Sequence, residues 1–172
     1  MFSKALSHTA HTKVASRSGF SLVEVVIVAS IFSLFMVALV SYYKKVLDVS
    51  QDTTRHIQSG FLLEEGIEVA KMFRDESWTT KVATLSTTTT YYLLWSGTGW
   101  SATTTEQKIE NVFTRSMLIT DVKRDVNDTI ASAGTYDAGT KKIHIDVSWP
   151  RKGGGATTTE SAETYVTNLF NN

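Results

Sequence analysis

The chain has 172 residues, enough for one domain, and carries 17 basic and 17 acidic residues. Its balanced charge, without a long basic run, argues against nucleic-acid binding, so no nucleic-acid partner is expected. These residues include no cysteine, which excludes disulfides, zinc–cysteine sites and thiol nucleophiles.

The first nineteen residues form a short, polar and basic segment. They contain Lys4, Lys13 and Arg17 and no acidic residue, so 14 basic and 17 acidic residues remain after Gly19. Positive charges mark the cytoplasmic end of a membrane helix, although Lys44 and Lys45 beyond the helix weaken this bias. We predict a leader at residues 1–19 and an N-terminus on the cytoplasmic side.

An apolar run from Phe20 to Tyr43 follows, and Glu24 is its only charged residue. As a helix, these 24 residues extend about 36 Å. That length crosses a hydrocarbon core of roughly 30 Å with some tilt. The serines of the run are expected to donate to helix carbonyls: Ser21, Ser30, Ser33 and Ser41.

The helix is predicted to continue to about Trp78, with a bend near Ser59 and Gly60. Its second half is amphipathic, so one face packs on a domain. The apolar face comprises Leu62, Gly66, Val69, Ala70 and Phe73, with Leu63 at its edge. The polar face comprises Glu64, Glu68, Lys71 and Asp75.

Strand patterns occupy the rest of the chain. Residues 91–95 and 112–122 predict two strands, with a turn at 96–99 after the first. Residues 130–136 lead into a predicted hairpin turn at 137–140. The returning strand alternates, with Ile143, Ile145, Val147 and Trp149 on one face. Gly153–Gly155 is predicted as a flexible loop and residues 163–170 as the last strand.

These elements predict an α+β fold, in which a long N-terminal helix packs on a small antiparallel sheet. Three regions follow: a leader at 1–19, a transmembrane helix at 20–45 and an extracytoplasmic domain at 46–172. The last region contains the end of the helix and the sheet.

The junction Ser18-Gly19-Phe20-Ser21-Leu22-Val23-Glu24 resembles the processing site of type IV prepilins and pseudopilins. That site reads Gly, Phe, Ser or Thr, Leu, any residue and Glu, before a long apolar helix. The resemblance implies a pilin-like fold and a filament subunit. It also implies that a prepilin peptidase cuts between Gly19 and Phe20 and that the new N-terminus of Phe20 is methylated.

The resemblance also assigns a role to Glu24. A carboxylate within a membrane helix costs roughly 2.5–3.5 kcal/mol on insertion scales. In the family this glutamate pairs with the N-terminal amine of a neighbouring subunit, which fixes the axial register. Because Phe20 and Glu24 are four residues apart, Glu24 could also pair with the amine of its own chain.

Three departures favour a minor pilin or pseudopilin over a major pilin. The leader is longer than in many major pilins, the apolar helix lacks internal glycine and proline, and the C-terminal cysteine pair is missing. The implied partners are prepilin peptidase, other pilin subunits, the inner-membrane assembly machinery and the lipid bilayer. The implied location is the bacterial inner membrane, then a periplasmic or extracellular filament of a pilus, competence or secretion system.

Two other classes of protein share parts of this pattern. A secretory signal peptide has a basic start, but its apolar region is shorter and ends at a small-residue cleavage site. A signal-anchored, single-pass protein with an extracytoplasmic binding or adhesin domain has the same topology, but it is not cut at Gly19. The threonine runs at 87–90, 103–105 and 157–159 suit exposed strands and loops, glycosylation or adhesion.

Catalytic and metal-binding interpretations find little support. His8 and His11 lie in the leader, and no motif places a nucleophile beside His144 and Asp146. The acidic cluster Asp121, Asp125, Asn127 and Asp128 lacks the alternation of a calcium loop, so turn formation explains it better. We predict no enzymatic activity, no cofactor and no metal site.

Overall fold

The computed structural model describes residues 19–151 and 155–170. Most of the leader, residues 1–18, and Gly153 and Gly154 of the glycine loop lie outside these ranges. The chain divides into two compact units, one ending at Val46 and the other starting at Leu47. Each unit is described separately below.

The first unit contains the N-terminal part of helix α1 (Leu22–Glu76). Its aliphatic and aromatic side chains are largely exposed, from Leu22 at 80% to Met36 at 42%. In the described part of the chain, α1 is the one helix with the length and composition to span a membrane, with a mean hydropathy of 2.7 over its most apolar window.

The serines of this apolar stretch behave as predicted, except at its start. Ser30, Ser33 and Ser41 donate to the carbonyls four residues earlier at 2.8 to 2.9 Å. These bonds satisfy the hydroxyls within the helix itself. Ser21 precedes the first helical residue and has no helix carbonyl behind it.

In the second unit, α1 packs its predicted apolar face on a sheet. Gly66, Val69, Ala70 and Phe73 are buried, and Leu62 and Leu63 lie half-buried against the core. The helix continues without a break through residues 59 and 60, where we expected a bend. It ends at Glu76, and a π-helical turn (Trp78–Val82) follows, capped by the Ser77 hydroxyl.

The second unit has seven strands in a single antiparallel sheet, in the described residues. They are β1 (Tyr91–Trp95), β2 (Trp100–Thr103), β3 (Lys108–Ile109), β4 (Phe113–Arg124), β5 (Ile130–Ala131), β6 (Thr135–Pro150) and β7 (Thr157–Thr167). The main order is β2-β1-β4-β6-β7, and the short strands β3 and β5 pair with the two ends of β4. The α+β class is therefore confirmed.

Alternation along the strands builds the core. Ile143, Ile145, Val147 and Trp149 on β6 are at most 1% exposed, as their spacing predicted. They meet every second residue of β4 and the apolar face of α1, which closes the interior between helix and sheet.

One predicted turn is wrong. The chain does not reverse at residues 137–140, because β6 passes through them with an irregular register opposite Asp121 and Val122. The Asp137 carboxylate forms a local turn by accepting from the amide of Gly139 at 2.9 Å. The reversal occurs after β4, where the amide of Asp125 donates to the carbonyl of Thr129 at 2.9 Å.

The ends of other strands also differ from the prediction. β1 and the turn after it are confirmed, whereas β2 was not expected. β7 begins six residues before the predicted start at 163 and ends at Thr167. Its first half reads TTTES, in which no apolar side chain marks the strand.

Candidate processing and assembly site

The predicted cleavage site lies just before α1, outside regular secondary structure. Gly19, Phe20 and Ser21 precede the first helical residue, and the carbonyl of Ser21 accepts the first helix bond, from the amide of Val25 at 3.2 Å. A Cβ atom placed on Gly19 would meet no atom within 4 Å, and Phe20 is 82% exposed. Among the described residues, none packs against Gly19, and the Phe20 side chain is exposed.

Glu24 lies in the first turn of α1. A carboxylate at this position is favoured by the partial positive charge of the helix N-terminus. The neighbouring surface is apolar: a shallow groove is lined by Phe20, Glu24, Val25, Val28, Ala29 and Phe32. Phe20 and Glu24 thus lie on the same side of the helix start, one helical turn apart.

His144 lies on β6, where the structure gives it two carboxylate neighbours. Its Nδ1 lies 3.0 Å from Glu163 Oε1, and its Nε2 lies 3.0 Å from Asp146 Oδ1. The nearby Ser161 hydroxyl donates to Asp146 at 2.5 Å rather than to the imidazole. The serine is therefore not placed as a nucleophile activated by His144.

A second contact, between α1 and β7, was not recognised in the sequence. His56 Nδ1 lies 2.6 Å from Glu160 Oε1, and the Ser59 hydroxyl donates to the other carboxylate oxygen. Burial pushes the pKa of Glu160 up, but the hydrogen bonds from Ser59 and His56 outweigh it and hold the pKa below its usual value. Because the predicted last strand began at 163, Glu160 lay outside it and had no assigned face.

The acidic cluster forms a turn and ion pairs. Asp125 Oδ1 accepts from the amides of Asn127 and Thr129 at 2.9 Å each, and Asp121 binds Lys141 Nζ at 2.5 Å. Asp128 adopts a left-handed backbone with a φ of 62°. Within residues 19–151 and 155–170, no three histidine or carboxylate side chains converge as a metal site would require.

The comparison with protein families identifies the N-terminal region. Residues 15–40 match the prokaryotic N-terminal methylation motif, and the match covers the junction, Glu24 and the apolar run as far as Val40. No curated protein and no solved structure matches the chain. The chain therefore carries the N-terminal signature of type IV pilins and pseudopilins on a pilin-like α+β fold.

Proposed function

We propose that the chain is a structural subunit, a minor pilin or pseudopilin, of a type IV pilus-like or type II secretion-like filament. One observation carries the proposal: a complete prepilin junction stands directly before an exposed apolar helix. Proteins with this motif are structural, and their helices assemble the filament.

Processing is the first step of the proposed function. A prepilin peptidase hydrolyses the bond between Gly19 and Phe20, so residues 1–19 leave and Phe20 gains a free amine. The exposure of Phe20 and the free space at the Cβ position of Gly19 support this step, because a peptidase has to reach the bond that it cuts. Methylation of the amine keeps its positive charge.

Glu24 gives the processed helix a fixed register. The new amine is largely cationic at neutral pH, and the carboxylate stands among apolar side chains. In a filament, the carboxylate of one subunit meets the amine of the next, which removes two unpaired charges from an apolar core. A single buried polar contact sets register in coiled coils in the same way.

The remaining regions have distinct proposed roles. Residues 20–45 are held first by the inner-membrane bilayer and then by other pilin subunits, after the assembly machinery extracts the helix. Residues 46–172 form the domain displayed in the periplasm or outside the cell. The exposed apolar side chains of the first unit support this move from the bilayer to the filament, because both lipid and neighbouring subunits would cover them.

Substitution of Glu24 tests the assembly role. Glu24→Ala and Glu24→Gln should insert in the membrane and be processed normally, since neither step needs the carboxylate. Both variants should enter filaments at least tenfold less than wild type, because both lose the charge that pairs with the amine. The glutamine variant keeps the shape of the side chain, so it isolates the effect of the charge. Glu24→Asp should be intermediate, since it is one methylene shorter.

The measurement is the fraction of processed subunit in sheared filaments relative to membranes. Glu64→Gln is the matched control, because Glu64 is exposed on α1 in the second unit. If Glu24→Ala enters filaments at the wild-type level while Glu64→Gln is also normal, the charge pair does not drive assembly.

A further inference from the structure

β7 is an open edge of the sheet. It has eleven residues, and its pairing with β6 is unbroken from Thr140 opposite Thr167 to Pro150 opposite Thr157. Among the described residues, no strand lies beyond it. An edge of this length presents a row of backbone groups that can pair with another strand.

Two hydrogen bonds show which β7 residues face outward. The amide of Asn168 donates to Gly139 at 2.8 Å, and the amide of Arg151 donates to Ala156 at 2.9 Å. Ala156 and Asn168, which flank β7, are therefore hydrogen-bonded to the strand opposite. Because only every second residue pair of an antiparallel ladder is hydrogen-bonded, the even-numbered residues of β7 bond to β6. The odd-numbered residues therefore direct their N–H and C=O groups to the open edge: residues 157, 159, 161, 163, 165 and 167.

The usual protection of an edge strand is absent from β7. It contains no lysine, no proline and no break in register. Its two charges are bound within the fold: Glu160 contacts His56 and Ser59 on the helix side. On the opposite face, Glu163 contacts Lys142 Nζ at 2.7 Å and His144 at 3.0 Å.

We propose that β7 pairs with β7 of a second copy of this chain, antiparallel, and joins the two sheets. In the register that pairs all eleven residues, 157 lies opposite 167 and Ala162 lies on the two-fold axis. Each carboxylate then faces a hydroxyl residue: Glu163 faces Ser161, and Glu160 faces Thr164. No like charges are opposed, which makes the edge complementary to itself.

The competing registers are less favourable. A shift of two residues toward the C-terminus places Glu163 opposite Glu163 of the second copy. A shift of four residues in the other direction places Glu160 opposite its own equivalent. Directly opposed like charges are destabilising in antiparallel pairs, which disfavours these two registers. Any other shifted register pairs fewer than the eleven residues of β7, so the full-length register forms the most backbone hydrogen bonds. This proposal does not depend on processing or filament assembly.

Single cysteines test the register in the full chain, purified in detergent micelles. The chain has no cysteine, so it gives no background. In Ala162→Cys, the two cysteines form a non-hydrogen-bonded pair with Cα atoms about 4.5 Å apart, which suits a disulfide. In Thr159→Cys, the matched control, six residues of strand separate the cysteines, or about 20 Å.

Under mild oxidation, Ala162→Cys should form disulfide dimers at least tenfold faster than Thr159→Cys. Thr159→Pro, added to Ala162→Cys, should abolish the dimers because it removes an outward N–H without breaking the β6 ladder. Thr159→Ala keeps that N–H and should leave the dimers unchanged. If the proline variant does not fold, the comparison of the two cysteines still decides the proposal.

Three results would overturn it. Equal rates for the two cysteine variants would indicate random collision, and dimers that survive Thr159→Pro in a folded variant would exclude pairing through the edge. In cell membranes, a disulfide adduct with a mass other than twice that of the chain would assign the edge to another occupant.

Discussion

Arg115 is a buried cation at the interface between α1 and the sheet. It is 3% exposed, and its Nη1 donates to the carbonyl of Leu62 at 3.1 Å and to Glu65. Its guanidinium also lies 5.3 Å from the ring centre of Trp100. Loss of the Glu65 carboxylate leaves the buried guanidinium charge without a counter-charge. Replacement of Arg115 by an apolar side chain removes the buried charge and with it the need for a counter-charge.

We therefore expect Glu65→Ala to lower the free energy of unfolding by about 1–2 kcal/mol, a modest cost because Glu65 is half exposed. Arg115→Met should cost less, and the double variant should resemble Arg115→Met. Urea unfolding in micelles, followed by tryptophan fluorescence, measures all three. A larger loss in Arg115→Met than in Glu65→Ala would contradict the assignment.

Gly66 allows α1 to approach the sheet closely. A Cβ atom at this position would lie 3.0 Å from Ile145 Cγ2 and 3.3 Å from Arg115 Cδ. Gly60 is its matched control, since a Cβ there would meet nothing within 4 Å. The two helical glycines therefore separate packing from helix propensity.

Gly66→Val should lower the melting temperature, with a loss of about 1–3 kcal/mol from overpacking. Gly60→Val introduces the same side chain where nothing opposes it. It should leave the free energy of unfolding unchanged or raise it by up to about 0.5 kcal/mol, because valine favours a helix slightly more than glycine does. Thermal melts monitored by circular dichroism measure the stability of both variants. A Gly66→Val variant as stable as wild type would show that helix and sheet are not in close contact at this position.

At the scale of elements, two glutamates of β7 bind neighbouring elements, one on each face of the strand. Glu160 contacts His56 and Ser59 on α1, and Glu163 contacts Lys142 and His144 on β6. Lys142 and His144 lower the pKa of Glu163, the lysine more strongly, and the pKa of Glu160 is lowered as described above. A carboxylate with a lowered pKa stabilises the fold above its unfolded pKa. This contribution is lost as the pH falls through the folded pKa.

We predict that the free energy of unfolding falls as the pH drops below the usual glutamate value of 4.5. Glu160→Gln should be less stable at neutral pH and should show a weaker dependence on pH in this range. Glu64→Gln, on the exposed side of α1, should keep the wild-type dependence. Urea unfolding across the acidic range tests this, and identical slopes in wild type and Glu160→Gln would contradict it.

The sequence predicted elements well where the pattern was local. The buried positions of β6 and the apolar face of α1 follow from period-two and helical spacing, and both are confirmed. The position of the hairpin reversal could not be predicted from the sequence. Residues 137–140 have the composition of a turn but lie within β6. There Arg124 holds Asp137 at 2.6 Å, a contact between strands that local spacing does not reveal.

The contact between Glu160 of β7 and α1 was missed because it, too, joins residues that are distant in the sequence. Glu160 and His56 are 104 residues apart in the chain. Their contact depends on which strand forms the edge and on which face it turns to the helix. By contrast, Gly19, Phe20 and Glu24 belong to one short motif, so the sequence alone was enough to propose them as a site. Their roles in processing and assembly stay predictions.

At the scale of the whole molecule, the two units bury apolar surface differently. The second unit encloses its own core between helix and sheet, whereas the first exposes its apolar side chains. In our proposal, lipid covers these side chains before assembly and neighbouring subunits cover them afterwards. That exchange requires a processed N-terminus, so cleavage at Gly19 is the central claim.

Intact-mass measurement after co-expression with a prepilin peptidase tests this claim most directly. We predict the mass of residues 20–172 with one added methyl group, and fragmentation should place that group on the amine of Phe20. A Gly19→Leu variant is the control and should stay uncut. A full-length mass in the presence of active peptidase, or a cut beyond Val40, would contradict the account.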